Sequence, residues 1–195
     1  MLNGKKVIVV MPAYNTSRTI EMTVNALPRH LVDEIVVVDD GSQDDTSEKA
    51  KRLGLSVIRH ERNRGYGAAQ KTGYQEALKR GGDVMVMVHS DFQYDPTLVP
   101  QIAQPIVEGK ADACFGSRMA VKKNAFKGGM PWWRFVANWS LSALEESVLQ
   151  LKISEYHSGY RAFSRRALLA IPFEKNSDKY VFDTTRTLNL LILTF

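Results

Sequence analysis

The sequence predicts an α/β domain built on a doubly wound, mostly parallel sheet with helices on both faces, and three observations predict it. Apolar runs recur at Val7–Met11, Ile35–Val38 and Val84–Val88, as strands do when both faces of a sheet are covered. Each run ends in polar residues, and helical patterns alternate with strands through residue 118, the grammar of parallel strands joined by crossover helices. At 195 residues the chain suits one well-buried domain and is short for two, so a single domain over 1–195 is expected.

The first strand halts at Pro12, and the polar loop Ala13-Tyr14-Asn15-Thr16-Ser17 leads into a helix over Thr19–Ala26, with Asn15 or Ser17 as its expected cap. The second strand, from Glu34, runs into Asp39-Asp40-Gly41-Ser42. Asp45-Thr-Ser-Glu48 then has the form of a capping box opening a helix to about Leu53. A short strand, Ser56–Arg59, precedes Asn63-Arg64-Gly65-Tyr66-Gly67 and a helix ended by Gly81-Gly82. This Gly-x-Gly is a weak nucleotide signal: the third glycine of a dinucleotide fingerprint falls at Gln70, and a tight turn explains the pair as well.

The third apolar strand ends in His89-Ser90-Asp91-Phe92-Gln93-Tyr94-Asp95-Pro96. Ligands of open parallel sheets sit beyond the carboxyl ends of the strands. In an extended chain His89, Asp91 and Gln93 would project to one side. An imidazole, a carboxylate and an amide oxygen suit a divalent ion such as Mn²⁺ better than Mg²⁺; the alternative is a strand end turning at Asp95-Pro96. A helix from Pro96 to Glu108 and a strand over Ala111–Gly116 follow.

The pattern then changes. From Ala113 to Leu144 there is no acidic residue, while Arg118, Lys122, Lys123, Lys127 and Arg134 fall inside. With the formal charge of +5, this favours anionic partners. Pro131-Trp132-Trp133-Arg134-Phe135 opens an apolar helix to about Leu151, which suits either a membrane interface or a core. A polar turn and short strand over Glu155–Ser164, a helix Arg165–Ala170 and a stop at Pro172 complete the pattern before a weak helical segment from Tyr180. The single cysteine, Cys114, excludes an intrachain disulfide and fits a reducing cytosol. The amino terminus lacks the pattern of a signal peptide. No apolar run has the length of a bilayer span, so membrane contact by this chain is expected to be peripheral, at a cytoplasmic face.

Five segments in order, Pro12-Ala-Tyr-Asn15, Val38-Asp-Asp-Gly-Ser42, Asn63-x-Gly65, His89-Ser-Asp91-Phe-Gln93-Tyr-Asp-Pro96 and Ser158-Gly-Tyr-Arg161-Ala-Phe163, resemble the family-2 glycosyltransferases of GT-A fold, of the dolichyl- or polyprenyl-phosphate sugar synthase type. The resemblance implies a metal-dependent enzyme using Mn²⁺ or Mg²⁺, a nucleotide-sugar donor, a lipid-phosphate acceptor at a membrane surface, and no nucleic acid. It implies that Pro12, Ala13 and Tyr14 line the base and ribose and that Asp39 accepts hydrogen bonds from the base, with Asn15, Asp40, Gly67 and Ser90 completing the nucleotide-binding set. His89, Asp91 and Gln93 would be the metal group, His89 standing where the family usually has Asp. By the same resemblance Arg118 and Arg134, with Asn138, hold the acceptor phosphate, and Arg161 stabilises the leaving diphosphate.

Two other readings stay open. One is a glycosyltransferase acting on a glycan hydroxyl, which needs a carboxylate base such as Asp183 or Asp95. The other is a degenerate domain that binds nucleotide without turnover, prompted by His89 and by Thr185 and Arg186, which stand where the family commonly has an acidic residue. The carboxyl-terminal part is expected to be either a natural end or a truncated one.

Overall fold

A computed structural model of the chain describes residues 1–116, 159–179 and 182. The chain divides into two compact units, residues 1–114 with 159–195, and residues 115–158. The expected basic loop, the aromatic helix, and Arg118, Arg134, Asn138, Asp183, Thr185 and Arg186 lie outside the described residues.

In chain order the elements are β1 (Val7–Ala13), α1 (Ile20–Ala26), β2 (Glu34–Asp39), α2 (Thr46–Arg52), β3 (Ser56–Arg59), α3 (Tyr66–Lys79), β4 (Val84–Met87), a 3₁₀ turn (Pro96–Leu98), α4 (Val99–Val107) and β5 (Ala113–Phe115). After the gap come β6 (Arg161–Ser164), α5 (Arg165–Ala170) and a second 3₁₀ turn (Phe173–Lys175). The sheet has the order β3-β2-β1-β4-β6-β5. β1 pairs in parallel with β2 and β4, and β2 in parallel with β3.

β6 departs from parallel pairing: it runs antiparallel to β4 with Met87 opposite Arg161 and Met85 opposite Phe163. The short connections after β1 and β4 diverge at neighbouring strands, and this is the crevice where open α/β sheets bind ligands.

The apolar runs are continuous because both faces are covered. On one face Val7, Val9, Met11, Ile35, Val37, Val84 and Val86 pack with Ile20 and Val24 of α1 and with Val99, Ile102 and Ile106 of α4. On the other lies α3, whose Gly73 approaches Val10 and Val38 and whose Tyr74 meets Phe163 and Phe173 edge to face. Each such buried aliphatic side chain contributes about 1.5–3 kcal/mol relative to exposure.

Two expected caps are not formed. Thr19 is the N-cap of α1 and makes no side-chain cap bond; Asn15 and Ser17 join the 42–46 loop instead. Asn15 N–H donates to Ser42 Oγ at 2.9 Å, Gln43 N–H donates to Asn15 Oδ1 at 2.8 Å, and Ser17 N–H donates to Asp44 Oδ2 at 3.1 Å. Asp45 likewise makes no cap bond to α2, because Asp44 Oδ1 accepts the Thr46 N–H at 3.0 Å and the Thr46 hydroxyl. The capping capacity of both loops is spent on joining them, which sets the walls of the crevice. Among the described residues no helix is long and apolar enough to cross a membrane.

Candidate functional site

A cavity of about 420 Å³ opens at the carboxyl ends of β1, β2 and β4. Pro12, Ala13, Tyr14 and Thr16 line it from the β1 side and Asp40 from the end of β2. Asn63, Gly65, Tyr66 and Ala69 come from the loop and first turn of α3, and His89, Ser90, Asp91 and Gln93 from the segment after β4. A larger hollow of about 670 Å³, lined by Lys5, Asp83, Arg165, Arg166 and Leu169 among others, lies at the amino end of β4 and holds none of the motif residues.

Eight of the expected site residues therefore meet: Pro12, Ala13, Tyr14, Asp40, His89, Ser90, Asp91 and Gln93. They do so by a route other than strand alternation. β4 ends at Met87, and the chain turns at Ser90–Asp91 with Phe92 at φ 60°. The turn closes with the Gln93 N–H donating to Asp91 Oδ1 at 3.1 Å, which brings both side chains to one wall. Ser90 Oγ donates to the Pro12 carbonyl at 2.9 Å and ties that turn to β1.

Four expected residues stand off the cavity wall. Asp39 is 0% exposed: it accepts the Ser42 N–H at 2.8 Å and the Ser47 hydroxyl, with Arg59 Nε at 3.6 Å, so its oxygens anchor the loop rather than face a base. Asn15 braces the 42–46 loop, as above. Gly67 packs against the Ser177 and Asp178 backbone, and its N–H donates to the Asp178 carbonyl at 2.8 Å; Gly65, not Gly67, reaches the cavity. Arg161 is 0% exposed in β6, where strand alternation puts it on the same face as Phe163, the face that meets Tyr74 of α3.

His89 Nε2 lies 2.8 Å from the Tyr66 hydroxyl. Asp91 Oδ2, by contrast, carries no hydrogen bond among the described residues. Asp95 is committed to the 3₁₀ turn, its Oδ1 accepting the Thr97 N–H and hydroxyl at 3.0 and 2.7 Å. Among the described residues no three His, Cys, Asp or Glu side chains are assembled for a metal. The donors present still fit a divalent ion held by one protein carboxylate and an amide, with phosphate oxygens and water filling the rest of its shell.

Sequence reasoning missed Thr16, Tyr66 and Ala69 as lining residues, and named Asn63 and Gly65 only as part of a motif. Thr16 lines the wall, although its Oγ1 is itself buried and has no hydrogen-bond partner among the described residues. No local pattern marks a lone threonine in that role. The Asn63-x-Gly65 motif could have indicated the other wall, since Gly65 at φ 105° is the N-cap of α3.

Comparison with known proteins supports the same assignment of fold. The family model "Glycosyl transferase family 2" matches residues 8–171. UDP-N-acetylglucosamine–dolichyl-phosphate N-acetylglucosaminyltransferase of Methanococcus voltae is 32% identical over 193 residues, covering 90% of this chain and 76% of that protein. Dolichol-phosphate mannosyltransferase of Pyrococcus furiosus is 36% identical over 141 residues, covering 69% of this chain and 36% of that protein. Among solved structures, glucosyl-3-phosphoglycerate synthase of Mycobacterium tuberculosis with Mn²⁺, UDP-glucose and phosphoglyceric acid matches at TM-score 0.72 and 25% identity, over 97% of this chain and 66% of that one. The chain thus spans about two thirds of the solved structure's length. The six-stranded, mostly parallel sheet and this likeness give the GT-A fold, and with the match over residues 8–171 the chain belongs to glycosyl transferase family 2.

Proposed function

We propose that the chain transfers a sugar, with inversion, from a nucleotide-diphosphate sugar to a polyprenyl or dolichyl phosphate. One observation carries the choice of acceptor: a relative matched over 90% of this chain is named as a dolichyl-phosphate transferase, and the two carboxylates on the described cavity wall, Asp40 and Asp91, are otherwise engaged. Asp40 accepts three hydrogen bonds, Asp91 is the metal-binding candidate, and Asp95 caps a turn. A hydroxyl acceptor needs such a base, whereas a phosphate monoester, with a second pKa of about 6, is already ionised near neutral pH. Relatives named as dolichyl-phosphate and polyprenol transferases support the same reading.

In this reading Tyr14 and Thr16, which line the cavity, receive the nucleoside. Asp91 and Gln93 would hold a divalent cation, Mn²⁺ or Mg²⁺, which would supply charge neutralisation at the diphosphate. His89 is oriented by Tyr66 beside them. Arg118 and Arg134 grip the acceptor phosphate in bidentate fashion at a membrane surface. The acceptor oxygen attacks the anomeric carbon while the bond from that carbon to the diphosphate oxygen breaks, and the charge released stays on the nucleoside diphosphate.

The test incubates the protein with radiolabelled nucleotide sugars, Mn²⁺ or Mg²⁺, and in turn polyprenyl phosphate, a glycan and 3-phosphoglycerate. Label entering the organic phase is the expected result. Label remaining with either water-soluble acceptor would refute the lipid-phosphate reading, and nucleotide binding without transfer to any acceptor would leave a binding domain. Replacing Arg118 or Arg134 by Ala should spare donor binding and impair transfer.

A further inference from the structure

Beneath the cavity wall lies a buried side-chain relay that the proposed reaction does not use. His60, at the end of β3, is 7% exposed and Asp40 3%. His60 Nδ1 lies 2.6 Å from Asp40 Oδ1, and His60 Nε2 lies 2.9 Å from Thr72 Oγ1 on α3. The same carboxylate accepts the Arg64 N–H at 2.9 Å on Oδ1 and the Gly65 N–H at 2.8 Å on Oδ2. A carboxylate taking three donors offers only acceptors, so the ring presents Nδ1–H to it, and the Thr72 hydroxyl meets the other nitrogen. The relay thus links the ends of β2 and β3 to α3 and fastens the 61–65 loop between them.

That loop supplies Asn63 and Gly65 to the cavity and sets where Tyr66 begins α3. It is held from a second side by Gly41, where a Cβ would come within 2.6 Å of the Arg62 carbonyl carbon and 2.7 Å of the Asn63 nitrogen. Nothing but backbone fits there. A loop gripped at Arg64 and Gly65 and pressed flat at Arg62 and Asn63 has one position, and Asp40 is the side chain that defines it. Among the described residues Asp40 in turn is aimed by a single side-chain donor, the imidazole.

We infer that His60 is a positioning residue for the nucleotide-sugar donor: acting through Asp40, it holds the Asn63–Gly65 wall in its binding-competent place. The inference rests on the donor reading above. Binding that is pre-organised equally for ground and transition states appears in KM and leaves kcat alone, so loss of the imidazole weakens donor affinity without slowing turnover at saturating donor.

The experiment uses the full chain with His60→Leu, His60→Asn and Thr72→Val. UDP and GDP, each with Mn²⁺, are titrated calorimetrically, and amide hydrogen exchange is followed at Arg64 and Gly65. His60→Leu is expected to weaken nucleotide affinity and speed exchange at both amides, each by roughly tenfold, as befits loss of a hydrogen bond to a charged group, with kcat unchanged. His60→Asn keeps an N–H near the Nδ1 position and should restore most of both effects, and Thr72→Val should cost less than His60→Leu. A His60→Leu protein that is merely less stable, with exchange and affinity as in wild type, would overturn the inference. If that variant does not fold, Thr72→Val decides, because it removes the partner of His60 Nε2: wild-type exchange at Arg64 and Gly65 together with wild-type nucleotide affinity in the folded Val variant overturns the inference equally. Wild-type protein that binds neither nucleotide refutes the donor reading alone, while the exchange rates still decide whether His60 holds the loop.

Discussion

The Tyr66 hydroxyl and His89 Nε2 are 2.8 Å apart, and their rings meet edge to face at 5.4 Å. Tyr94 also meets the imidazole edge-on, at 5.2 Å, and stacks at a tilt on Tyr160. The residue standing where the family usually has an acidic ligand is thus embedded in an aromatic cluster that joins α3 to the segment before β6. The carboxylate two residues on is the group with an oxygen to spare. His89→Asn is therefore expected to lower Mn²⁺ affinity by about tenfold to a hundredfold, the scale of a residue that orients ligands, while Asp91→Ala abolishes measurable binding. Mn²⁺ titration by electron paramagnetic resonance checks both; equal losses would make His89 a ligand.

Gly159 is the residue that lets this cluster close. A Cβ there would stand 2.6 Å from His89 Nε2 and 2.9 Å from Cε1, and the Gly159 N–H donates to the Tyr94 hydroxyl at 3.0 Å. Gly159→Ala should displace the imidazole, destabilise the protein by about 1–2 kcal/mol as overpacking does, and reduce donor affinity. Urea unfolding together with nucleotide titration tests it; an unchanged site would show that the ring has room to move.

Gly73 sits where α3 crosses the sheet, and a Cβ there would overlap Val10 Cγ1 and press on Val38 at 3.3 Å. Gly73→Ala is expected to cost about 1–3 kcal/mol through overpacking. Combining it with Val10→Ala should recover part of that loss, because neighbouring sites couple by about 0.5–3 kcal/mol. Strictly additive losses in a double-mutant cycle would mean that the helix shifts bodily instead.

The junction of the two loops titrates. Burial pushes the Asp44 carboxyl up, but hydrogen bonds from Thr46 and Ser17 outweigh it and bring it down to about 2 from the ordinary 3.8. A carboxyl depressed on folding stabilises the folded state above its unfolded value, and that stabilisation is lost as the pH falls from 3.8 toward about 2. Across that window the unfolding free energy of the wild type should fall more steeply with acidification than that of Asp44→Asn. Urea unfolding at several pH values would reveal it, and parallel curves would refute it.

The local readings succeed where burial leaves a pattern and fail where partner choice decides. Val7–Met11 and Val84–Val88 are legible as strands because both faces of each are covered, and the turn Asp95-Pro96 is visible in its own residues. Asp39 and Asp40 show the limit. They are adjacent and chemically alike, yet Asp39 closes on Ser42 and Ser47 while Asp40 reaches the cavity. The capping box at Asp45–Glu48 satisfies every local criterion, and Asp44 displaces it because Ser17, from another loop, is also within reach.

By itself the sequence determined the alternation of strands and helices, the buried character of the sheet, and the motifs at the carboxyl ends of β1, β2 and β4, because hydrophobic periodicity and turn chemistry are local properties of the chain. Only the tertiary structure decided that β6 enters antiparallel beside β4 and that Arg161 goes into the core with it. It likewise decided that Asp91 and Gln93 meet through a turn at Phe92, and that His60, twenty residues from Asp40 and twelve from Thr72, joins them. Such contacts depend on which distant groups share one small volume once the sheet has formed, and that information is carried by packing rather than by any single stretch of residues.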